Sequence, residues 1–379
     1  MSQTPRARYV MIGGFLGAGK TTAVGRFARR LHESGQQVGL ITNDQSIGLV
    51  DTTILRGQGW AVEEIAGGCF CCRFPSLQEA AAKLQQSVRP DIFLAEPVGS
   101  CTDLVATVSY PLRRIYGDDF AIAPLSVLID PARAERVLGL SDQGRAFSEK
   151  VVYVYRKQLE EADAIVINKI DQLDPERRGA LLEALGREYP RARLFEVSAK
   201  EGEGLDAWFE WLEGAETAMA PTMQLDYDTY AEGEALLGWM NATWEITGGA
   251  PFNANELLVS LARAMQEQCR FADMEIAHLK MTLDSPDAGG QLSVVSVTSG
   301  DDEHPDLRES LLDEVSGGAL IVNLRAEGDP EELRAIGTRA VERAVAVQGL
   351  EARSEHVEYF RPARPVPTHR DIVTEEASG

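Results

Sequence analysis

Gly14-Phe15-Leu16-Gly17-Ala18-Gly19-Lys20-Thr21 follows directly on the apolar run 9–12. A G-x-x-x-x-G-K-T string between a strand and a helix turns successive backbone N–H groups onto phosphate oxygens. Its lysine reaches the terminal phosphates as a point charge, and its hydroxyl is placed to ligate Mg²⁺. Gly14, Gly17, Ala18, Gly19, Lys20, Thr21 and Thr22 are therefore expected to cradle a nucleoside triphosphate, with Lys20 and Thr21 also serving its hydrolysis. The competing reading is a Gly-rich strand-to-helix turn with no ligand.

The base is addressed farther along the chain. Residues 164–167 read as a β-branched strand that runs into Asn168-Lys169-Ile170-Asp171. In an N-K-x-D loop the Asp171 carboxylate can accept from both the ring N–H and the exocyclic amine of guanine, while Asn168 and the Lys169 stem frame the base. Adenine has no ring N–H there, so guanine is expected to be preferred by several kcal/mol, at about 1.5–3 kcal/mol per charge-assisted bond. Ser198-Ala199-Lys200, after a strand at 193–197, reads as an auxiliary base-side loop. Strand 38–42 ends in Asn43-Asp44, and strand 91–95 ends in Glu96-Pro97-Val98-Gly99. Carboxylates at the carboxyl ends of parallel strands face the phosphate crevice. Asp44 and Glu96 can there hold Mg²⁺ through water or orient the attacking water, and the Gly99 N–H can meet the γ-phosphate. Ordinary polar strand termini are the alternative.

Gly67-Gly68-Cys69-Phe70-Cys71-Cys72 concentrates three of the five cysteines behind two glycines. Thiolates suit Zn²⁺, Co²⁺ or Cu⁺, and neighbouring thiolates repel one another unless a cation neutralises them. Cys69, Cys71 and Cys72 are the candidate ligands of a transition metal. A disulfide, simple buried thiols and redox sensing are the alternatives. Cys101 and Cys269 read as small core residues.

The run Gly13 to Thr22, then Glu64-Ile65-Ala66-Gly67-Gly68-Cys69-Phe70-Cys71-Cys72, Glu96-Pro97-Val98-Gly99 and Asn168-Lys169-Ile170-Asp171, in this order, resembles the CobW/HypB/UreG group of metal-associated P-loop GTPases, and most its CobW branch. The resemblance covers roughly residues 8–213. It implies a slow GTPase that binds GTP and GDP with Mg²⁺ and carries a transition metal, zinc or cobalt, to a client metalloprotein. It also implies a nucleotide-dependent homodimer. A GTP-dependent switch that chaperones a metalloenzyme or cobalamin enzyme without carrying metal is the second reading. An ATP-using small-molecule kinase is disfavoured by Asn168 and Asp171. Two departures stand out. Family members commonly carry Asn-Glu-Phe-Gly-Glu after the second strand, where this chain has Asn43-Asp44-Gln45-Ser46-Ile47, so Ile47 replaces a carboxylate that often assists the metal site. The histidines number five and are scattered, which argues against bulk metal storage.

The 379 residues carry a formal charge of −22, most of it after residue 220. Nucleic acid and anionic membranes are poor partners for such a surface. The length suits two cores, no apolar run approaches the roughly 18 residues of a membrane span, and no signal peptide is read, so a cytoplasmic protein is expected.

The fold class expected is α/β: a P-loop NTPase parallel sheet with helices on both faces, followed by a smaller α+β domain. Strands at 9–12, 38–42, 91–95, 124–130, 164–167 and 193–197 alternate with helices at 20–33, 76–87, 151–162, 175–188 and 205–212. The expected organisation is a GTPase domain at 1–213, a linker at 214–226, an α+β domain at 227–361 and a flexible tail at 362–379. In the second domain, strands are expected at 238–247, 279–283, 292–298, 320–325 and 355–360. Helices are expected at 255–272, capped by Asn253, and at 330–347. The loop 299–306 is expected to be mobile. His278 and Lys280 read as an ordinary strand-edge pair, with ligand contact as the alternative.

Overall fold

The computed structural model describes residues 6–43, 50–117, 119–218, 220–302 and 304–374. Asp44 and Ile47 lie outside the described residues. Among the described residues fourteen strands are formed: β1 Ala7–Gly14, β2 Val38–Asn43, β3 Val62–Ile65, β4 Ile92–Glu96, β5 Phe120–Ile122, β6 Ser126–Ile129, β7 Ala164–Ile167, β8 Arg193–Glu196, β9 Leu237–Phe252, β10 Glu275–Asp284, β11 Leu292–Val297, β12 Asp306–Glu309, β13 Val315–Glu327 and β14 Leu350–Phe360.

The first eight form one parallel sheet in the order β3-β2-β4-β1-β6-β7-β8, with β5 also beside β1. Within β1 the run 9–12 is apolar because both of its faces are covered. Tyr9 and Met11 join the cluster containing Phe74, Phe93 and Leu159, and Val10 and Ile12 join Phe27, Leu31 and Trp208 on the other side. Each such side chain contributes roughly 1.5–3 kcal/mol on burial. The strand expected at 124–130 forms as β6, Ser126–Ile129, beside the end of β1, and a further short strand that was not anticipated, β5 Phe120–Ile122, pairs with the start of β1. Pro124 sits between them and has no N–H to give the ladder, which explains the break between the two. The short helices Val50–Gly57, Pro131–Val137 and Tyr227–Leu236 were not anticipated, since two turns of helix give little periodicity to read.

The second sheet is antiparallel in the order β12-β11-β10-β13-β9-β14. Helices Ala254–Phe271 and Pro330–Gln348 cover one face, where Leu257, Leu261, Met265, Leu333 and Ile336 pack with Met240, Leu279, Met281, Val322 and Leu324. Asn253 caps the first of these helices as expected, accepting from Asn255 N at 3.0 Å and Glu256 N at 3.2 Å. Strand periodicity then turns His278, Lys280, Ser296, Asn323 and Arg325 to the opposite face, where they line a cavity shared with the phosphate loop. The strand-edge reading of His278 and Lys280 is thus corrected, because β10 lies between β11 and β13. Among the described residues no helix is long and apolar enough to cross a membrane.

Candidate nucleotide and metal site

β1 ends in a loop that needs glycine. Gly14 and Gly19 have φ of 131° and 93°, and a Cβ on Gly19 would lie 2.3 Å from Asn168 Nδ2. Only a residue without a side chain takes up this left-handed turn cheaply. Helix Lys20–Glu33 starts there, which aims its first N–H groups at the crevice. Lys20 is buried, and its Nζ donates to the carbonyls of Gly14 at 2.9 Å and Phe15 at 3.3 Å. Burial lowers the Lys20 pKa, against the opposing charges of Glu96 and Asp51. β4 approaches the loop so closely that a Cβ on Gly99 would stand 2.9 Å from Leu16 N. Gly99 therefore packs directly against the loop with no room for a side chain.

Three oxygen donors meet beside Lys20. Thr21 Oγ1 donates to Asp51 Oδ1 at 2.5 Å and lies 3.1 Å from Glu96 Oε1. Burial and the Asp51 charge push Glu96 up to about 7, and its buried Oε2 has no hydrogen-bond partner among the described residues. An orphaned carboxylate oxygen beside a hydroxyl and a second carboxylate fits a hard divalent cation such as Mg²⁺. Asp51, on the helix Val50–Gly57, is a site residue that the sequence reading missed. Its only local signal was an acid in the first turn of a short helix. Asp44 lies outside the described residues.

On the base side, Asn168 acts as a strut. Its Nδ2 donates to Ala18 O at 2.8 Å and its Oδ1 accepts from Ala199 N at 2.9 Å, joining the phosphate loop to the Ser198-Ala199-Lys200 loop. Ser198 Oγ accepts from Glu201 N at 3.1 Å, and Lys200 Nζ pairs with Asp306 at 3.2 Å. Lys169 takes a left-handed φ of 57°, and its buried ammonium pairs with Asp130 at 2.6 Å. Burial would raise the Asp130 pKa, but Lys169 and Arg133 outweigh it and hold it at about 2. Asp171 is exposed on the turn Ile170–Gln172. The phosphate end is a cavity of about 300 Å³ whose lining includes Lys20, Thr21, Thr22, Glu96, Gly99 and Lys200. Asn168, Lys169 and Asp171 stand outside that lining.

The cysteine turn follows β3. Gly67 and Gly68 have φ of 76° and 147°, and Cys72 N and Arg73 N both return to Cys69 O, at 3.1 and 2.9 Å. Helix Phe74–Ser87 begins immediately after, and its positive end favours thiolates. The sulfurs of Cys69, Cys71 and Cys72 lie 2.8, 3.2 and 3.6 Å apart. A tetrahedral Zn²⁺ with Zn–S near 2.3 Å needs sulfurs about 3.7 Å apart, so the three fit such an ion after spreading by less than about 1 Å. All five cysteines are free thiols. Hydrogen bonds from the Cys101, Cys71 and Cys72 thiols hold Cys69 well below the usual thiol range. The same sharing raises Cys71, and lifts Cys72 to about 11. The neighbouring thiols thus favour the charged form at Cys69 over Cys71 and Cys72. Cys101 is buried, as read, but it also touches this cluster through Cys69.

Two connections were not legible in sequence. Asn43, the last residue of β2, donates from Nδ2 to Ile65 O at 2.9 Å and Gly68 O at 2.7 Å, tying the strand end before Asp44 to the cysteine turn. The segment expected to be a mobile tail lies across the same turn. Val366 N donates to Cys72 Sγ at 3.2 Å, Thr368 N donates to Cys71 O at 2.8 Å, and His369 packs edge-on to Phe74.

Residues 8–195 match the family described as CobW/HypB/UreG, nucleotide-binding domain. The zinc chaperone YeiR of Escherichia coli (strain K12) is 29% identical over 174 residues, covering 45% of this chain and 49% of that protein. The zinc chaperone CobW of Sinorhizobium sp is 27% identical over 212 residues, covering 51% and 59%. The chain thus spans about half the length of the curated relatives it matches. The solved Zn(II)-bound YjiA GTPase from E. coli aligns with 89% of this chain and 99% of its own at 16% identity and a TM-score of 0.39, a likeness too slight to assign residues. Residues 8–195, with their phosphate loop, N-K-x-D turn and cysteine turn on one parallel sheet, thus form a CobW/HypB/UreG nucleotide-binding domain.

Proposed function

We propose that this chain binds and slowly hydrolyses GTP, and that its nucleotide state controls how tightly Cys69, Cys71 and Cys72 hold zinc or cobalt for delivery to a client metalloprotein. The observation that carries this reading is the Asn43 strut, which joins the segment leading to Asp44 with Gly68 of the cysteine turn. The relatives named zinc chaperones favour zinc as the cargo. A nucleotide-dependent homodimer belongs to the same proposal.

Lys20 leaves the Gly14 and Phe15 carbonyls for the terminal phosphates, and the loop amides take the remaining phosphate oxygens. Thr21, Asp51 and Glu96 would hold Mg²⁺, with Asp44 a further candidate; the ion supplies charge neutralisation at the β- and γ-phosphates. Glu96 Oε2, without a partner among the described residues, orients a water for in-line attack on the γ-phosphorus. The bond from that phosphorus to the β–γ bridging oxygen breaks, leaving GDP and phosphate. Asp171 and the Asn168 strut set the guanine pocket, assisted by Lys169, Ser198, Ala199 and Lys200.

Calorimetry with GTP, GDP and ATP, combined with metal content of the purified protein, tests this. The expected result is guanine nucleotides binding at least about 100-fold tighter than ATP, and zinc retained by the wild type but lost from the triple variant C69S/C71S/C72S. Equal affinity for ATP and GTP, or equal zinc in both proteins, would contradict it.

A further inference from the structure

The second sheet does more than lean on the first. Arg133, buried behind β6, donates to Leu16 O in the phosphate loop, to Ala277 O of β10 at 3.1 Å and to Thr298 O at the end of β11. A Cβ on Gly17 would stand 2.8 Å from Thr298 Cγ2. These are backbone-level contacts, so β10 is seated on the phosphate loop at fixed height and its polar face looks into the crevice.

On that face Lys280 is the cation with an unusual partner. Its ammonium pairs with Asp51 and lies 3.4 Å from Thr21 Oγ1, the carboxylate and hydroxyl that suit Mg²⁺. Of the neighbouring cations, Arg308 pairs with Asp306 at 2.9 Å and Arg325 stacks over Trp239 at 4.0 Å. Lys280 is mostly covered, with a side-chain exposure of 15%, so it cannot retreat into water. An ammonium and a divalent cation repel each other and compete for the same two oxygens. When the cation takes Thr21 and Asp51, the ammonium must find another anion within reach of its stem, and a triphosphate carries more negative charge than Mg²⁺ and Lys20 together neutralise.

We infer that Lys280, supplied by the second sheet, is a phosphate-binding residue of the nucleotide site, paired with Asp51 until a divalent cation takes Asp51 and Thr21 and Lys280 transfers to the phosphates. This rests on the guanine-nucleotide reading above. It gives the second sheet a direct reading of what occupies the phosphate loop. Asp51 is the exchange point: it competes with phosphate for Lys280 when no divalent cation is present, and supports the cation when one is.

Calorimetric titration of GDP and a non-hydrolysable GTP analogue, in EDTA and in Mg²⁺, tests the exchange. In Mg²⁺, K280A and K280Q should each lose about tenfold or more in affinity, the loss of one charge-assisted contact, and in EDTA, where Asp51 holds the ammonium, they should lose less. D51N should bind several-fold tighter than wild type in EDTA, because the ammonium is released to the phosphates, and weaker than wild type in Mg²⁺. K280Q keeps length and polarity, so it gives the answer if K280A does not fold. Affinities in Mg²⁺ within twofold of wild type for both lysine variants overturn the inference, as does a D51N protein that binds no tighter in EDTA. K20A separates this from failure of the nucleotide reading. If K20A loses binding and K280Q does not, only the inference fails; if the wild type binds no guanine nucleotide, both fail.

Discussion

The phosphate loop and the cysteine turn close the carboxyl ends of the same parallel sheet, at β1 and β3, yet they meet their ligands in opposite states. The phosphate loop is already arranged: left-handed glycines fix its amides, and Lys20 waits on two carbonyls a short rotation from any phosphate. The cysteine turn is not. Its sulfurs stand closer than a metal needs, and hydrogen bonds from the neighbouring thiols hold the Cys69 pKa low. Loading it must expel protons and spread the sulfurs. Between the two sites, the strand order β3-β2-β4-β1 places Asn43 at the end of β2 and Glu96 to Cys101 just past β4. Strands about 4.8 Å apart put the sites roughly 14 Å from one another. The difference teaches that control belongs with the less prepared site, since a small shift of β2 or β4 changes sulfur spacing more readily than it changes a preformed anion cradle.

The largest expected effect breaks the prepared side alone. K20A and T21A should each lower GTP turnover by on the order of 10³-fold or more, because positioning and charge neutralisation are nearly all the catalysis available in phosphoryl transfer. Zinc bound without nucleotide should be unchanged. Wild-type turnover in either variant would place the chemistry elsewhere.

D171N should cost guanine affinity several kcal/mol, at about 1.5–3 kcal/mol for each of two weakened charge-assisted bonds. The fold should be intact, since Asp171 is exposed. Unchanged GTP affinity would remove the guanine assignment.

N43A cuts the strut itself. Losing two hydrogen bonds at a buried side chain should cost about 1–3 kcal/mol of stability. More tellingly, the difference in zinc affinity between GDP and GTP-analogue states should shrink toward unity while GTP affinity stays within a few-fold of wild type. A full difference retained in N43A would move the connection to the β4 side.

The smallest effect concerns the segment after Cys101. Glu161 accepts from Thr102 Oγ1 at 3.0 Å and from Val105 N at 3.1 Å, and burial together with the Asp103 charge raises it to about 8. Its folded pKa is above its ordinary value, so the folded state binds more protons over that window. Stability should therefore be highest near and below pH 4.5 and decline as pH rises toward 8, by on the order of 1–2 kcal/mol. E161Q should flatten the dependence of Tm between pH 5 and 8; an unchanged slope would discount Glu161 as its source.

What the sequence disclosed was whatever is built from consecutive residues. The phosphate loop, the N-K-x-D turn and the cysteine triplet each lie within eight residues, so spacing alone carries their chemistry. The long amphipathic helices and the buried strands announced themselves by period. What depends on distant residues meeting in space was not legible. Asp51 became a site residue only when its short helix packed beside Thr21 and Glu96. Lys280 read as an edge residue because sequence does not say that β10 pairs on both sides. The stretch around Val366 and Thr368 has the proline content of a loose tail, but its N–H groups are satisfied by the cysteine turn. Asn168 was read for the base, and the structure adds its second task of bracing Ala18.

The central claim is that the two sites share free energy, and metal titration in defined nucleotide states measures it. Zn²⁺ or Co²⁺ would be titrated into metal-free, reduced protein loaded with GDP and, separately, with a non-hydrolysable GTP analogue. The account expects metal affinities that differ by about tenfold or more, about 1.4 kcal/mol. By reciprocity, bound metal should change the preference between GTP and GDP by the same factor. Identical metal affinities in both nucleotide states would leave a GTPase with a static metal site and contradict the account.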